Sequence, residues 1–182
     1  MFQELDELFG KLEDPMPRSS GEAKDPWEEK HDPHSLTILD TDSANYLKRF
    51  MEDTEQGFSA GRVLAVDTTI IWVVDDRGRV RFAMEEMFHD NTPTGLAKLQ
   101  NFPLTKFVRK LGHPSLLRDA LSFKGRIGGE IRFESNLPDP YWSINRRSGR
   151  YGYHDDRIYV HLKNAANQFR HHGIELHLDP DF

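Results

Sequence analysis

Apolar positions recur along this chain with two different periods. Near the start, Phe2, Leu5, Leu8, Phe9 and Leu12 fall on one helical stripe, which predicts a short amphipathic helix within residues 1–12. "TDSANYLKRFMEDTEQG" places capping residues at Thr41–Ser43 ahead of Ala44, Leu47, Phe50 and Met51, and Gly57 supplies a stop, so a second helix is expected there. "RVLAV" and "TIIWVV" are β-branched and apolar. "DDRG" is turn chemistry leading into "RVRFA", which together predict a strand followed by a β-hairpin.

Residues 84–121 mix both periods, with helical patterns around Leu104–Leu111 and Pro114–Leu121. Alternation returns in "GGEIRFES" and "YWSIN", joined by "NLPDP" as a second hairpin. A helix is expected next, capped by Asp155 or Asp156, buried along Ile158, Leu162, Ala165, Ala166 and Phe169, and ended by Gly173. "IELHL" alternates and closes the chain as a strand. The expected class is α+β: one domain over residues 35–182, with a mainly antiparallel sheet and a C-terminal helix–strand.

Residues 13–34, "EDPMPRSSGEAKDPWEEKHDPH", break the periodicity altogether. They are rich in proline and charge and poor in aliphatics, so they read as a flexible tether, and residues 1–34 as an acidic, largely disordered segment carrying one short helix. That helix is expected to dock either on a partner protein, such as an immunity protein, chaperone or target, or back on its own domain.

Charge sharpens the division. Residues 1–34 hold ten acids and four bases, a balance of −6 that equals the net charge of the whole 182-residue chain. Residues 124–172 carry nine Lys/Arg against five Asp/Glu, with four histidines. A solvated face or a site for an anion are the two readings of that excess. The absence of cysteine excludes disulfides, thiolate metal sites and cysteine nucleophiles. No apolar run approaches the ~20 residues that span a bilayer, so no membrane association is expected. No apolar signal core opens the chain, so the expected location is cytoplasmic, or outside the cell by export without a cleaved signal.

Few constellations carry chemistry. The nine histidines lack metal-ligand spacing, and no metal site is expected. No phosphate loop, dinucleotide fingerprint or nucleophile elbow is present, so no bound cofactor is expected. The densest polar stretch is "INRRSGRYGYHDD" (144–156). There Arg146, Arg147 and Arg150, with Arg157 just beyond, interleave with Tyr151 and Tyr153 near Trp142, residue types that hold phosphates and stack bases. A nucleotide or RNA ligand is the expectation from this stretch. Gly149 and Gly152 would let its backbone approach a ligand closely.

Read in order, "WVVDDRGRVRF" (72–82), "HPSLL" (113–117), "GGEIRF" (128–133), "NRRSGRY" (145–151) and a helix ending "HHGIEL" (171–176) resemble a known domain. It carries H-S-S-L, A-G-E and N-x-x-S-G-H-Y motifs and closes many bacterial polymorphic toxins and secreted effectors. A similar module ends plant IQ-motif calmodulin-binding proteins. The resemblance covers about residues 68–178. This chain departs from it at Pro114, at Gly128 and at Arg150, where the family has a histidine, and in a longer insertion over 84–111. The resemblance implies a toxin-like or effector-like context, with His113, Ser115, Glu130, Asn145, Ser148 and Tyr151 at the family's polar positions.

Two function classes follow. In the first, His113 and Glu130 supply acid–base chemistry, Tyr151 orients the substrate, and Ser115, Asn145, Arg147, Ser148 and Arg150 hold an anionic nucleotide or phosphate-bearing ligand for transfer or hydrolysis. In the second, the chain is a non-catalytic immunity-type or adaptor protein that binds a partner through residues 1–34. A plainer reading has Glu130 paired with Arg126 or Arg150, and His113, Asn145 and Ser148 satisfying turns. A shared catalytic role requires His113, Glu130, Arg150 and Tyr151 to line one pocket.

Overall fold

A computed structural model describes residues 2–17, 24–57, 65, 68–89, 92–99, 103–105, 107–120 and 123–179. Its elements in chain order are α1 (Phe2–Phe9), α2 (Pro26–Lys30), β1 (Thr37–Ile38), α3 (Thr41–Glu55), β2 (Ile70–Val74), β3 (Val80–Met84), β4 (Glu86–His89), β5 (Thr92–Ala97) and β6 (Val108–Lys110). A 3₁₀ turn (His113–Leu117), β7 (Gly128–Glu134), β8 (Tyr141–Ile144), α4 (Tyr159–His171) and β9 (His177–Leu178) follow. The class is α+β, as expected.

Six strands form the main sheet in the order β1-β3-β2-β7-β8-β9, antiparallel except for the parallel β8–β9 pair. Both expected hairpins are present. The β2–β3 turn works because Asp75 accepts from the backbone N–H of Arg77 and Arg79 through Oδ1, while Gly78 takes φ +77. β2 is buried along its whole length, which explains its unbroken apolar run. Ile70, Trp72 and Val74 join the larger core, with α3 contributing Leu47 and Met51 and α4 contributing Leu162, Ala165 and Phe169. Ile71 and Val73 face the other way, into a smaller cluster with Ala83, Leu116, Leu117 and Tyr151.

Several expectations are corrected. Residues 84–111 hold a second, three-stranded antiparallel sheet in the order β5-β4-β6, where a helical pattern was expected near Leu104–Leu111. Val108, Arg109 and Lys110 pair with His89, Phe88 and Met87, and this cross-strand pairing outweighs a weak local helical preference. Among the described residues of Pro114–Leu121, the short 3₁₀ turn His113–Leu117 stands where a helix was expected. Neither Asp155 nor Asp156 caps α4. Ile158 is the N-cap, and the His161 ring accepts from the Ile158 N–H at 3.3 Å. Asp156 is occupied elsewhere, accepting from Lys11 N–H at 2.8 Å. The expected strand "RVLAV" lies outside the described residues except for Ala65.

The described residues of the N-terminal segment pack where a flexible tether was expected, and the short helix takes one of its two expected docking places, on its own domain. These residues lie across the domain as a strap. α1 packs on α4, with Phe9 buried in the core and Asn164 donating to the Leu8 carbonyl at 2.9 Å. Glu13 and Gly125 exchange both backbone hydrogen bonds at 2.9 Å, and Met16 N–H donates to the Arg150 carbonyl at 2.8 Å. Further along, Trp27 Nε1–H donates to the Lys110 carbonyl at 3.0 Å and its ring stacks on Phe88. Low aliphatic content did predict little apolar burial over residues 13–34. The strap is held instead by its backbone and by charge, on donors that the basic half of the chain supplies.

Candidate functional site

β7 begins with two glycines because other backbone crowds it. A Cβ on Gly129 would stand 1.8 Å from the Asn145 carbonyl oxygen. The side chain of Asn145 locks that approach, its Oδ1 accepting from Glu130 N–H at 3.1 Å and from Arg147 N–H at 2.8 Å. Ser148 then organises the next turn, with Oγ accepting from the N–H groups of Arg150 and Tyr151 at 3.4 and 3.2 Å. Gly152 is required for space, since a Cβ there would stand 1.8 Å from the Arg146 carbonyl oxygen. On the facing side, Ser115 Oγ–H donates to the Gly112 carbonyl at 2.7 Å and fixes the 3₁₀ turn that carries His113.

These supports bring side chains from four parts of the chain onto one cleft of about 220 Å³. It is lined by Glu28, Lys110, Gly112, His113, Glu130, Arg147, Gly149 and Arg150. Three of the four residues required to share a pocket, His113, Glu130 and Arg150, therefore do so, and Arg147 joins them. The fourth does not. Tyr151 is completely buried and its hydroxyl donates to the Phe123 carbonyl at 2.8 Å; burial pushes its phenol far up, so it is a core residue. Ser115, Asn145 and Ser148 are buried, do not line this cleft, and hydrogen-bond to backbone groups around it. The two glycines also divide: Gly149 borders open space, whereas Gly152 is a packing requirement.

Within the cleft, His113 Nε2 lies 2.9 Å from the Gly129 carbonyl, which can only accept, so Nε2 carries the proton. Burial pushes this imidazole down to about 4, so the ring is neutral near pH 7 with its lone pair on Nδ1. Burial pushes the Glu130 carboxyl up, and Arg132, whose Nη2 stands 2.8 Å from Oε2, offsets only part of that. This contact is not aligned as a hydrogen bond. The expected partners of Glu130 are thus replaced by Arg132. Arg126 is buried and bonds to Asp6 and to the Gly10 carbonyl.

Glu28 and Lys110 had not been singled out from the sequence. Lys110 sits on β6 and pairs with Glu85 at 2.7 Å. Glu28 is completely buried, accepts from Gly112 N–H at 3.1 Å, and lies 3.8 Å from Arg150. One local signal for it exists in "DPWE". Proline at the first helical position and an acid three residues after Asp25 make a capping box, and Glu28 Oε2 does accept from Asp25 N–H at 2.8 Å.

The interleaved arginines and aromatics of 142–157 do not form a stacking platform. Trp142, Tyr151, Arg150 and Arg157 are buried, and Arg146 lies over the Tyr153 ring at 5.3 Å. A roomier hollow of about 500 Å³ beside the β2–β3 turn sets Arg77, Arg79 and Arg81 against Asp76 and Asp119, so its charges answer one another. Among the described residues, no three His, Asp or Glu side chains are grouped to hold a metal ion, and no helix is long and apolar enough to cross a membrane.

No protein-family model, curated protein or solved structure matches the chain.

Proposed function

We propose that the protein binds a small phosphate-bearing ligand in the cleft between the 3₁₀ turn and the β8–α4 connection, as a toxin-like or effector-like domain. His113 and Glu130 are its acid–base pair for transfer or hydrolysis. One observation carries this reading: His113, Glu130 and the Arg147–Arg150 pair come from three separate segments and converge on one cleft, and His113 and Glu130 are displaced in opposite directions from their ordinary protonation ranges. Titratable groups perturbed by burial cluster in clefts that do chemistry. The toxin-like context rests on the motif resemblance alone.

Each group has a role that follows from its surroundings. Arg147, about two-fifths exposed at its side chain, is the cation that a ligand meets first. Neutral His113 offers Nδ1 as a proton acceptor, and Glu130, whose carboxyl burial pushes above its ordinary range, holds a proton more readily than an exposed carboxyl would. At about 220 Å³ the cleft lies below the ~300–1,000 Å³ of sites for drug-sized ligands, so it fits a phosphoryl group and its immediate substituent, not a whole dinucleotide. The strap's acidic groups bond to this domain at Arg118, Arg126 and Arg150, which weighs against the adaptor reading.

Titration of the purified chain with inorganic phosphate, followed through the His113 ring resonances, tests the reading. Saturable shifts at His113, weakened at least tenfold in Arg147→Ala, are expected. An unperturbed His113 ring throughout the titration would overturn it.

A further inference from the structure

We infer that the polar face of β7–β8–β9 beside this cleft is a polyol subsite, so that the ligand is a phosphosugar or the sugar–phosphate part of a nucleotide. This rests on the anion reading of the cleft and names its substrate class.

Strand alternation puts Glu130, Arg132 and Glu134 on one face of β7. The cross-strand partners Arg132↔Ser143 and Glu134↔Tyr141 extend that face onto β8, and Ser143↔His177 carries it to β9. The opposite face, with Ile131, Phe133, Trp142 and Ile144, is buried in the main core. A second hollow of about 200 Å³ opens on the polar face, lined by Glu134, Tyr141, Ser143, Arg147, Leu178 and Asp179. Arg147 lines both hollows and is the residue they share.

The chemistry of the two hollows differs in sign. Around the second, Glu134 and Asp179 present carboxylates, Ser143 Oγ–H donates to Glu134 at 2.8 Å, and Arg147 Nη2 lies 3.1 Å from Asp179. Paired carboxylates accept from the hydroxyls of a vicinal diol and repel a second phosphate. The Tyr141 ring, 4.3 Å from that of His177, adds an apolar surface of the kind that packs on a sugar. With the phosphoryl group on the His113 side of Arg147, the inferred subsite takes the hydroxyls of a pentose on the Glu134 side.

Calorimetric titration of the full chain with inorganic phosphate and with ribose 5-phosphate tests this, in the wild type and in Glu134→Gln and Tyr141→Ala. Thermal melts check the fold of each variant. Ribose 5-phosphate is expected to bind at least tenfold more tightly than phosphate. Either variant should remove most of that advantage while phosphate affinity stays within twofold. Equal affinity for the two ligands, or an advantage that survives in both variants, overturns the subsite and leaves the phosphate cleft standing. Failure of both ligands to bind the wild type overturns the two together.

Discussion

The N-terminal strap and the connection over residues 145–157 are the two irregular regions that matter most here, and they are complementary halves of one structure. The connection is shaped from within by Asn145, Ser148 and Gly152, and it turns Arg150 and Arg157 toward the strap. Those arginines meet carbonyls and carboxylates there: Arg150 donates to the Met16 carbonyl at 2.9 Å, and Arg157 donates to the Lys11 carbonyl at 2.8 Å. Beyond α1, whose Phe9 is buried in the core, the strap has little apolar content and takes its order from these donors. A basic cluster is therefore not by itself evidence of an external ligand, because an acidic segment of the same chain can occupy it. Arg147 pairs instead with Asp179 at 3.1 Å and lines the cleft beside Arg150, while Arg146 donates to the Gly152 carbonyl.

The largest effect should come from removing residues 1–17. Buried Arg126 would lose Asp6 and the Gly10 carbonyl, and an unpaired buried charge costs about 3–5 kcal/mol, before the lost packing of Phe9. Chemical denaturation of the truncated chain should show at least that loss. A loss under about 1 kcal/mol would mean that the strap is merely laid on the surface.

The two glycines of the connection sharpen the comparison within one loop. Gly152→Ala forces a Cβ into the Arg146 carbonyl and should cost about 3 kcal/mol or more, whereas Gly149→Ala meets nothing within 4 Å and should change stability by less than about 0.5 kcal/mol. Equal denaturation midpoints for the two variants would contradict the assigned packing.

Acid should separate the cleft from the strap. His113 is pushed down to about 4, so the unfolded chain takes up this proton first, and stability falls as pH drops from about 6.5 toward 4. Over that window the loss is on the order of 3 kcal/mol. Glu130, pushed up by burial, acts oppositely: the folded chain binds its proton first, so its contribution is present in acid and is lost as pH rises through its folded value. His113→Gln should accordingly flatten the acid limb of a stability–pH curve. An unchanged limb would place the acid sensitivity elsewhere, His161 being the next group pushed down by burial.

The smallest effect belongs to the exposed Arg118–Asp32 pair, whose Nε–Oδ1 contact is 2.6 Å. Exposed pairs contribute about 0.2–1 kcal/mol, so Arg118→Ala should shift the denaturation midpoint slightly and more so at low salt.

Much of the fold was legible locally. The unbroken apolar run of β2, the alternation of β7 and β8, the turn at "DDRG" and the stripes of α3 and α4 each report one periodic element burying one or two faces. The second sheet was not legible, because Val108–Lys110 becomes a strand through pairing with β4, a partner distant from it in the folding pattern that period alone describes. The path of the strap beyond α1 was not legible for a related reason: apolar content measures hydrophobic burial and is blind to backbone carbonyls bonded by distant arginines.

For the site, residue chemistry along the chain identified His113, Glu130, Arg147 and Arg150 as groups that could act together. It could not separate these from Tyr151, Ser115 and Ser148, whose hydroxyls serve nearby carbonyls or N–H groups in the interior. Nor could it bring in Glu28, some eighty residues from the Gly112 N–H that it accepts from. Local periodicity and composition determined which elements form and which side chains carry charge. Tertiary structure alone decided which of those charges meet each other and which face solvent, because pairing depends on distances between segments that sequence separation does not encode.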